Sequence, residues 1–339
     1  MRIRSLAQLL ALALLLCAAH AVAAPPPPLK LVSDVWPPFT DVEGKPHEAV
    51  DLVKAALLRG GVQSKTTIVA WTEAEAGLQA GRFDGSAALW RSAAREKYLL
   101  FSKPYLENRL LLVARKGERV SLSSPSELAG KRLALSSGYA YGDAITKLGG
   151  VTYVYFGNDA ECLRAVLANE ADYLLLDELM VRHLFEFYGN KASDLITNGQ
   201  VPLVRYGLHF ALRKDYPRAQ AIIDEFDGNV RQMMQDGTYN VLLHVPWIQT
   251  DVDGDGVPDY VASRRNAPKS HTDPLAALAS YPIFYPANGP PDMKASAKYL
   301  VDGKSYNTWG DAATTLERGG DTKGKGAYKY STGVVLLQF

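Results

Sequence analysis

Short apolar runs alternate with longer stretches of helical apolar spacing through most of the chain. Leu29-Lys-Leu-Val-Ser33 reads as a strand, and Glu48 to Arg59 carries apolar residues at helical spacing until Gly60-Gly61 stops it. Thr66 to Ala70 predicts a second strand, Thr72 to Ala80 a second helix ended by Gly81, and Gly85 to Leu89 a third strand. The rhythm restarts at Arg132 to Ser136 (strand) and continues through Asp143 to Leu148 (helix) and Val151 to Phe156 (strand). Asp159 to Asn169 (helix), Tyr173 to Leu176 (a fully apolar strand) and Glu178 to Phe187 (helix) complete it. A strand-helix-strand alternation with fully apolar strands predicts parallel sheets covered by helices on both faces.

Two such units in series predict two lobes with a cleft between them. Arg109 to Arg115 reads as a strand leaving the first lobe and Leu203 to Arg213 as the strand returning to it, followed by a long helix from Pro217 to Gly237. The expected division is lobe one at 29–113 and 205–248, lobe two at 114–204, and a carboxyl-terminal extension at 249–339.

Length and charge narrow the class. The 339 residues suffice for two cores, and 37 basic against 36 acidic side chains leave a formal charge of +1, with no basic tract for nucleic acid. Met1-Arg-Ile-Arg4, an apolar centre from Leu9 to Cys17, and Ala21-Val22-Ala23 read as a secretory signal peptide, residues 1–23. Pro25 to Pro28 then form a stiff spacer. Leu14-Leu15-Leu16 before Cys17 is a poor match to a lipid-attachment box, so export to the periplasm without an anchor is expected. Cys162 would be the single cysteine of the mature chain, on an apolar helical stripe, so no internal disulfide forms.

The most specific motif is Trp90-Arg-Ser92-Ala-Ala-Arg95, followed by Phe101-Ser-Lys-Pro-Tyr105 and preceded by Gly81-Arg-Phe-Asp84. With Trp36-Pro-Pro-Phe39 and Asp172-Tyr-Leu-Leu-Leu-Asp177, it resembles the polar amino-acid (family 3) type of extracytoplasmic solute-binding proteins of ATP-driven importers. The resemblance covers about residues 29 to 248. It implies an α/β, two-lobe periplasmic binding protein fold (type II-like) that closes like a flytrap, each lobe a mostly parallel sheet flanked by helices, joined by two hinge strands. It also implies a monomer that binds an amino-acid-like solute and presents it to a membrane permease.

Residue roles follow from the resemblance. Arg95 would grip a carboxylate, since guanidinium offers a rigid two-pronged donor set that Lys cannot copy. Ser92 would assist it. Asp177 would take an ammonium, or else cap the helix that begins at Glu178. Phe39 and Trp36 would stack on the ligand or pack their own loop. Tyr139 and Ala140 stand where relatives carry hydroxyls, and Tyr141 would wall the pocket or pack beside it. Trp90 replaces a small hydroxyl residue of relatives, which leaves the solute open.

The extension opens with Asp251-Val-Asp253-Gly-Asp255-Gly256-Val-Pro258-Asp259. Alternating carboxylates around a turn glycine suit Ca²⁺, with Asp251, Asp253, Asp255 and Asp259 as ligands; a solvated acidic turn is the alternative. Pro258, and Ala262 where an EF-hand has Glu, depart from that loop. Solute binding itself requires no cofactor. A periplasmic sensor or docking protein is the alternative function, and a cyclic amino-acid dehydratase a third. No nucleophile-base arrangement, phosphate loop or zinc cluster supports an enzyme.

Overall fold

The computed structural model describes residues 26–122, 124–245, 247–252, 255, 257, 259–266, 281–282 and 298–317. The signal segment, Cys17 and the apolar run at 333–339 lie outside them.

Lobe one opens with β1 (Leu29–Ser33), α1 (Glu48–Arg59), β2 (Ser64–Ile68), α2 (Trp71–Gln79) and β3 (Gly85–Trp90). One face of α1, with Ala49, Leu52, Val53, Ala56 and Leu57, is buried against the sheet. β2 begins two residues before the expected strand; as an edge strand it alternates half-buried and exposed residues rather than forming an apolar run. Every residue of β3 is buried. Gly85 is required there because a Cβ would lie 2.1 Å from the Ala211 carbonyl oxygen of the neighbouring strand.

Short β4 (Leu99–Phe101) precedes β5 (Leu106–Arg115). Lobe two follows with β6 (Arg132–Ser136), α3 (Asp143–Thr146), β7 (Thr152–Phe156), α4 (Asp159–Leu167), β8 (Tyr173–Asp177), α5 (Glu178–Tyr188), α6 (Asn190–Leu195) and β9 (Ile196–Asn198). β10 (Val204–Arg213) returns to lobe one, where α7 (Ala219–Gln235) and α8 (Thr238–Leu242) pack. The Asn229 side-chain amide donates to the Ala56 carbonyl at 3.0 Å, tying α7 to α1.

The ten strands form one sheet in the order β2-β1-β3-β10-β5-β8-β6-β7, with β4 also on β10 and β9 also on β5. Pairing is parallel within β2-β1-β3 and within β8-β6-β7, and antiparallel through β10 and β5. Each crossing strand changes partner midway. β5 pairs β10 over Leu106–Leu110 and β8 over Leu110–Ala114. β10 pairs β5 up to Leu208 and β3 and β4 beyond it. On β5 the change of partner falls at Leu110. This is the mixed α/β, two-lobe architecture that the apolar pattern predicts, and the periplasmic binding protein fold that the resemblance implies.

Part of the extension is also ordered into layers. β11 (Trp247–Thr250), β12 (Asp259–Ala262), β13 (Tyr281–Pro282), β14 (Tyr299–Val301) and β15 (Lys304–Tyr306) make a second sheet, covered by α9 (Trp309–Glu317). Trp247, Tyr260, Tyr299, Val301, Ala312 and Leu316 fill its own core. Ile248, Val252 and Val261 join the main core instead. The Asn240 side-chain amide donates to the carbonyls of Val245 (3.2 Å) and Val261 (2.8 Å), fastening the sheet to α8.

Candidate functional site

Arg95 sits in a single 3₁₀ turn, Arg95–Lys97, just beyond the carboxyl end of β3. That is where ligands approach an open α/β sheet. The backbone N–H of Arg95 donates to the Ser92 hydroxyl at 3.4 Å, so Ser92 shapes the turn. Only 4% of Arg95 is exposed. Its guanidinium reaches across the gap between the lobes. Nη1 donates to the Trp90 carbonyl (2.9 Å), Nη2 to the Gly138 carbonyl (3.1 Å), and Nε to Glu75 Oε1 (3.3 Å). The cation lies 4.6 Å from the ring centroid of Trp71. Burial lowers its pKa from the ordinary arginine value, and Glu75 opposes that shift.

Glu75 is the acid paired with Arg95; Asp34, in the loop after β1, lines the same cavity as Arg95. Asp34, Trp36, Trp71, Ala88, Leu89, Trp90, Arg95, Tyr139 and Ala140 line one cavity of about 20 Å³, room for about one water. The Tyr139 hydroxyl donates to Asp34 Oδ2 at 2.8 Å. Burial raises the Asp34 carboxyl, with the Tyr139 hydrogen bond and Arg95 pulling the other way. Burial and the Asp34 charge push the Tyr139 phenol well above its ordinary value. A second acid, Asp159 at the start of α4, accepts from the Ser136 hydroxyl and is pushed up to about 7 by burial, with Asp34 adding to the shift.

Aromatic rings close the space. Tyr139 contacts Trp36 (5.9 Å between centroids), Trp90 (5.6 Å) and Trp71 (6.5 Å). Tyr141 also meets Trp90 at 5.6 Å, and Tyr206 on β10 lies 4.7 Å from Trp90 and donates its hydroxyl to the Tyr141 carbonyl. Of the residues singled out from the sequence, Trp36, Trp90, Tyr139 and Arg95 come together around one cavity. Tyr141 forms the next layer, its hydroxyl accepting from the Ser136 N–H at 3.2 Å. Phe39 is fully buried, 4.6 Å from Trp36, and supports that ring without lining the cavity.

Asp177 stands elsewhere. It is 1% exposed, caps α5 through the Leu179 N–H (2.7 Å), and also accepts from Asn108 Nδ2 (3.0 Å) and the Arg109 N–H (2.9 Å). The capping alternative describes its geometry, and Asp34 is the aspartate that shares the cavity with Arg95. Asp177 still touches the pocket wall through one relay, because Trp90 Nε1 donates to Asn108 Oδ1 at 2.8 Å. Asp34, Trp71 and Glu75 were not among the residues singled out from the sequence. Asp34 follows directly on the end of a buried strand, a position that could have marked it.

The Asp-rich segment is the hairpin connection from β11 to β12, in register through Thr250 and Asp259. Asp259 is buried and accepts from the Val252 N–H (3.2 Å); Asp255 accepts from the Val257 N–H (2.8 Å) and pairs with Lys298 Nζ at 3.2 Å. Asp253 lies outside the described residues. Among the described residues, no three acidic, histidine or cysteine side chains converge as a metal site. A larger cavity, about 210 Å³, opens where lobe one meets this hairpin, between Lys103, Tyr105, Asp227, Arg231, Thr250 and Val252. Of the residues expected to bind ligand or metal, only Asp251 borders it.

A two-lobe sheet with a buried arginine at the gap defines a class of ligand-binding proteins. The chain belongs to the bacterial extracellular solute-binding proteins, family 3, whose model matches residues 31–249. It is similar to the virulence sensor protein BvgS of Bordetella bronchiseptica, with 27% identity over 193 residues, 56% of this chain and 15% of that protein. It thus spans a small part of the length of that curated relative. Among solved structures, an ancestral arginine-binding protein bound to arginine aligns with a TM-score of 0.55 and 22% identity, over 65% of this chain and 97% of the other. A domain of Bordetella pertussis BvgS aligns with a TM-score of 0.53 and 19% identity, over 67% and 94%. Among the described residues, no helix is long and apolar enough to cross a membrane.

Proposed function

We propose that this protein binds a small carboxylate-bearing solute, an amino acid or close analogue, between its lobes in the periplasm. One observation carries the reading: the buried Arg95 guanidinium and the Asp34 carboxyl line one cavity between the lobes. A zwitterion needs partners of both signs, because either charge left unpaired on burial costs several kcal/mol. Arg95 would receive the carboxylate, Asp34 the ammonium, and Trp36, Trp71 and Trp90 the apolar remainder. Titration calorimetry with a panel of L-amino acids and their deaminated analogues tests it. The expected result is binding of at least one compound, lost in Arg95→Ala. Unchanged affinity in that variant overturns the assignment.

Handing the solute to an ATP-driven permease is the use that the family suggests. A periplasmic sensing or docking role is the second reading, favoured by the extension, whose Val252 and Val261 share the main core. It is supported also by the likeness to a sensor protein. Pull-down of membrane partners with the intact protein separates a permease from a signalling partner. The Asp-rich loop is proposed to take Ca²⁺ in place of the Lys298 ammonium now beside Asp255.

A further inference from the structure

The segment Gly138-Tyr139 occupies both ends of the place proposed for the solute. The Gly138 carbonyl accepts two hydrogen bonds, from Arg95 Nη2 (3.1 Å) and Trp71 Nε1 (3.0 Å). Two donors from lobe one thus converge on one lobe-two oxygen, the arrangement a carboxylate oxygen would meet. The Tyr139 hydroxyl donates to Asp34 Oδ2 at 2.8 Å, as an ammonium would. Its ring fills the space between Trp36, Trp71 and Trp90, and only about 20 Å³ remains. An amino acid has no room there while Tyr139 is in place.

The backbone is built for this. Gly138 has φ +78°, and a Cβ on it would lie 2.7 Å from Trp71 Cδ1. The positive φ and the close approach together bring the carbonyl to the two donors. Tyr206, on a crossing strand, braces the segment from behind through the Tyr141 carbonyl.

We infer that Gly138-Tyr139 is a built-in surrogate ligand: the lobes close on it without solute, and a solute binds by displacing it. This rests on the proposed binding reading and reverses its usual sense. Closure is the resting state, and the solute exchanges one closed arrangement for another through an opened one. A competing internal contact lowers apparent affinity by the fraction of molecules it holds. Loss of one hydrogen bond to a carboxylate would release that competition by about tenfold or more.

The experiment uses the full mature chain, with Tyr139→Phe as the mild variant and Tyr139→Ala as the strong one. Small-angle scattering measures compactness without solute and with an equimolar pool of the twenty L-amino acids, and calorimetry measures the affinity for that pool. Expected are a compact wild type without solute, an expanded population in both variants, and at least tenfold tighter binding by Tyr139→Phe. A wild type that is open without solute, or a Tyr139→Phe variant with unchanged compactness, overturns the inference. The binding reading fails separately. If the variants open but neither they nor the wild type take up any of the pool, self-closure stands and amino-acid binding does not.

Discussion

Replacing Arg95 by lysine keeps one positive charge between the lobes but removes the planar fork that joins them. Nη1 and Nη2 now reach carbonyls on opposite sides of the gap, Trp90 and Gly138, while Nε faces Glu75. A lysine ammonium on a narrower stem can satisfy one of these sites. At least one charge-assisted bond is lost, worth about 1.5–3 kcal/mol in a buried setting. Part of the contact with the Trp71 face goes too, worth about 0.5–2 kcal/mol. The expected destabilisation is about 2–4 kcal/mol. At about 2–4 °C per kcal/mol for a unit of this size, the melting temperature falls by roughly 4–16 °C. Arg95→Ala should cost somewhat more, about 3–5 kcal/mol, because Glu75 and two carbonyls lose their partner. Thermal unfolding followed by calorimetry, in low salt and in 0.5 M salt, is the assay (the second condition roughly halving the reach of exposed charges). A buried guanidinium held mainly by two carbonyls predicts nearly the same loss in both. An Arg95→Lys protein melting with the wild type would show that the fork carries no interlobe energy and would refute the reasoning.

Other buried groups carry outcomes of their own. Asp159 is raised to about 7 in the folded protein, so it binds a proton there that the unfolded chain releases near its ordinary value. Its contribution is complete below the ordinary carboxylate range and is lost as pH rises through about 7. Asp159→Asn should therefore gain on the wild type by about 2 kcal/mol between pH 5 and pH 8, read as the difference of two denaturation series. The difference matters because His209, lowered to about 4 by burial, moves wild-type stability the opposite way below its ordinary pKa. Val261→Ala should destabilise the binding unit by about 1.5–3 kcal/mol in urea melts, since Val261 is fully buried in the main core. A single transition weakened as a whole is expected; loss confined to a separate transition of the extension would contradict the shared core. Addition of millimolar CaCl₂ should raise the melting temperature of the wild type and not of Asp255→Asn, and no shift in the wild type would dismiss the calcium proposal.

The lobes were legible because their strands are short, apolar and bounded by glycines. Leu29–Ser33, Glu48–Arg59 and Arg132–Ser136 fall where the pattern alone puts them. β4, β9 and the strands of the extension's sheet are two to four residues long, too short for a period to register. Arg95 was readable because its motif is local. Its partners were not, since Asp34, Trp71, Glu75 and Gly138 meet only through the folding of the two lobes around one sheet. Asp177 shows the converse limit. The sequence offers both a ligand role and a helix cap, and only the positions of Asn108 and the Leu179 N–H select the cap. The Asp-rich run was visible as chemistry, yet pairing of Thr250 with Asp259 makes it a hairpin turn whose last carboxylate faces inward.

The exchange of partners halfway along β5 and β10 constrains how this molecule can move. Neither ribbon can slide without breaking ladders on both sides, so bending is confined to the few peptides around Leu110 and Leu208. Since the Asn240 side-chain amide on α8 holds the Val261 carbonyl, the tail sheet travels as a passenger of lobe one. A small rotation at two points four residue pairs apart on the β5-β10 ladder thus becomes a swing of lobe two measured against everything the tail is attached to.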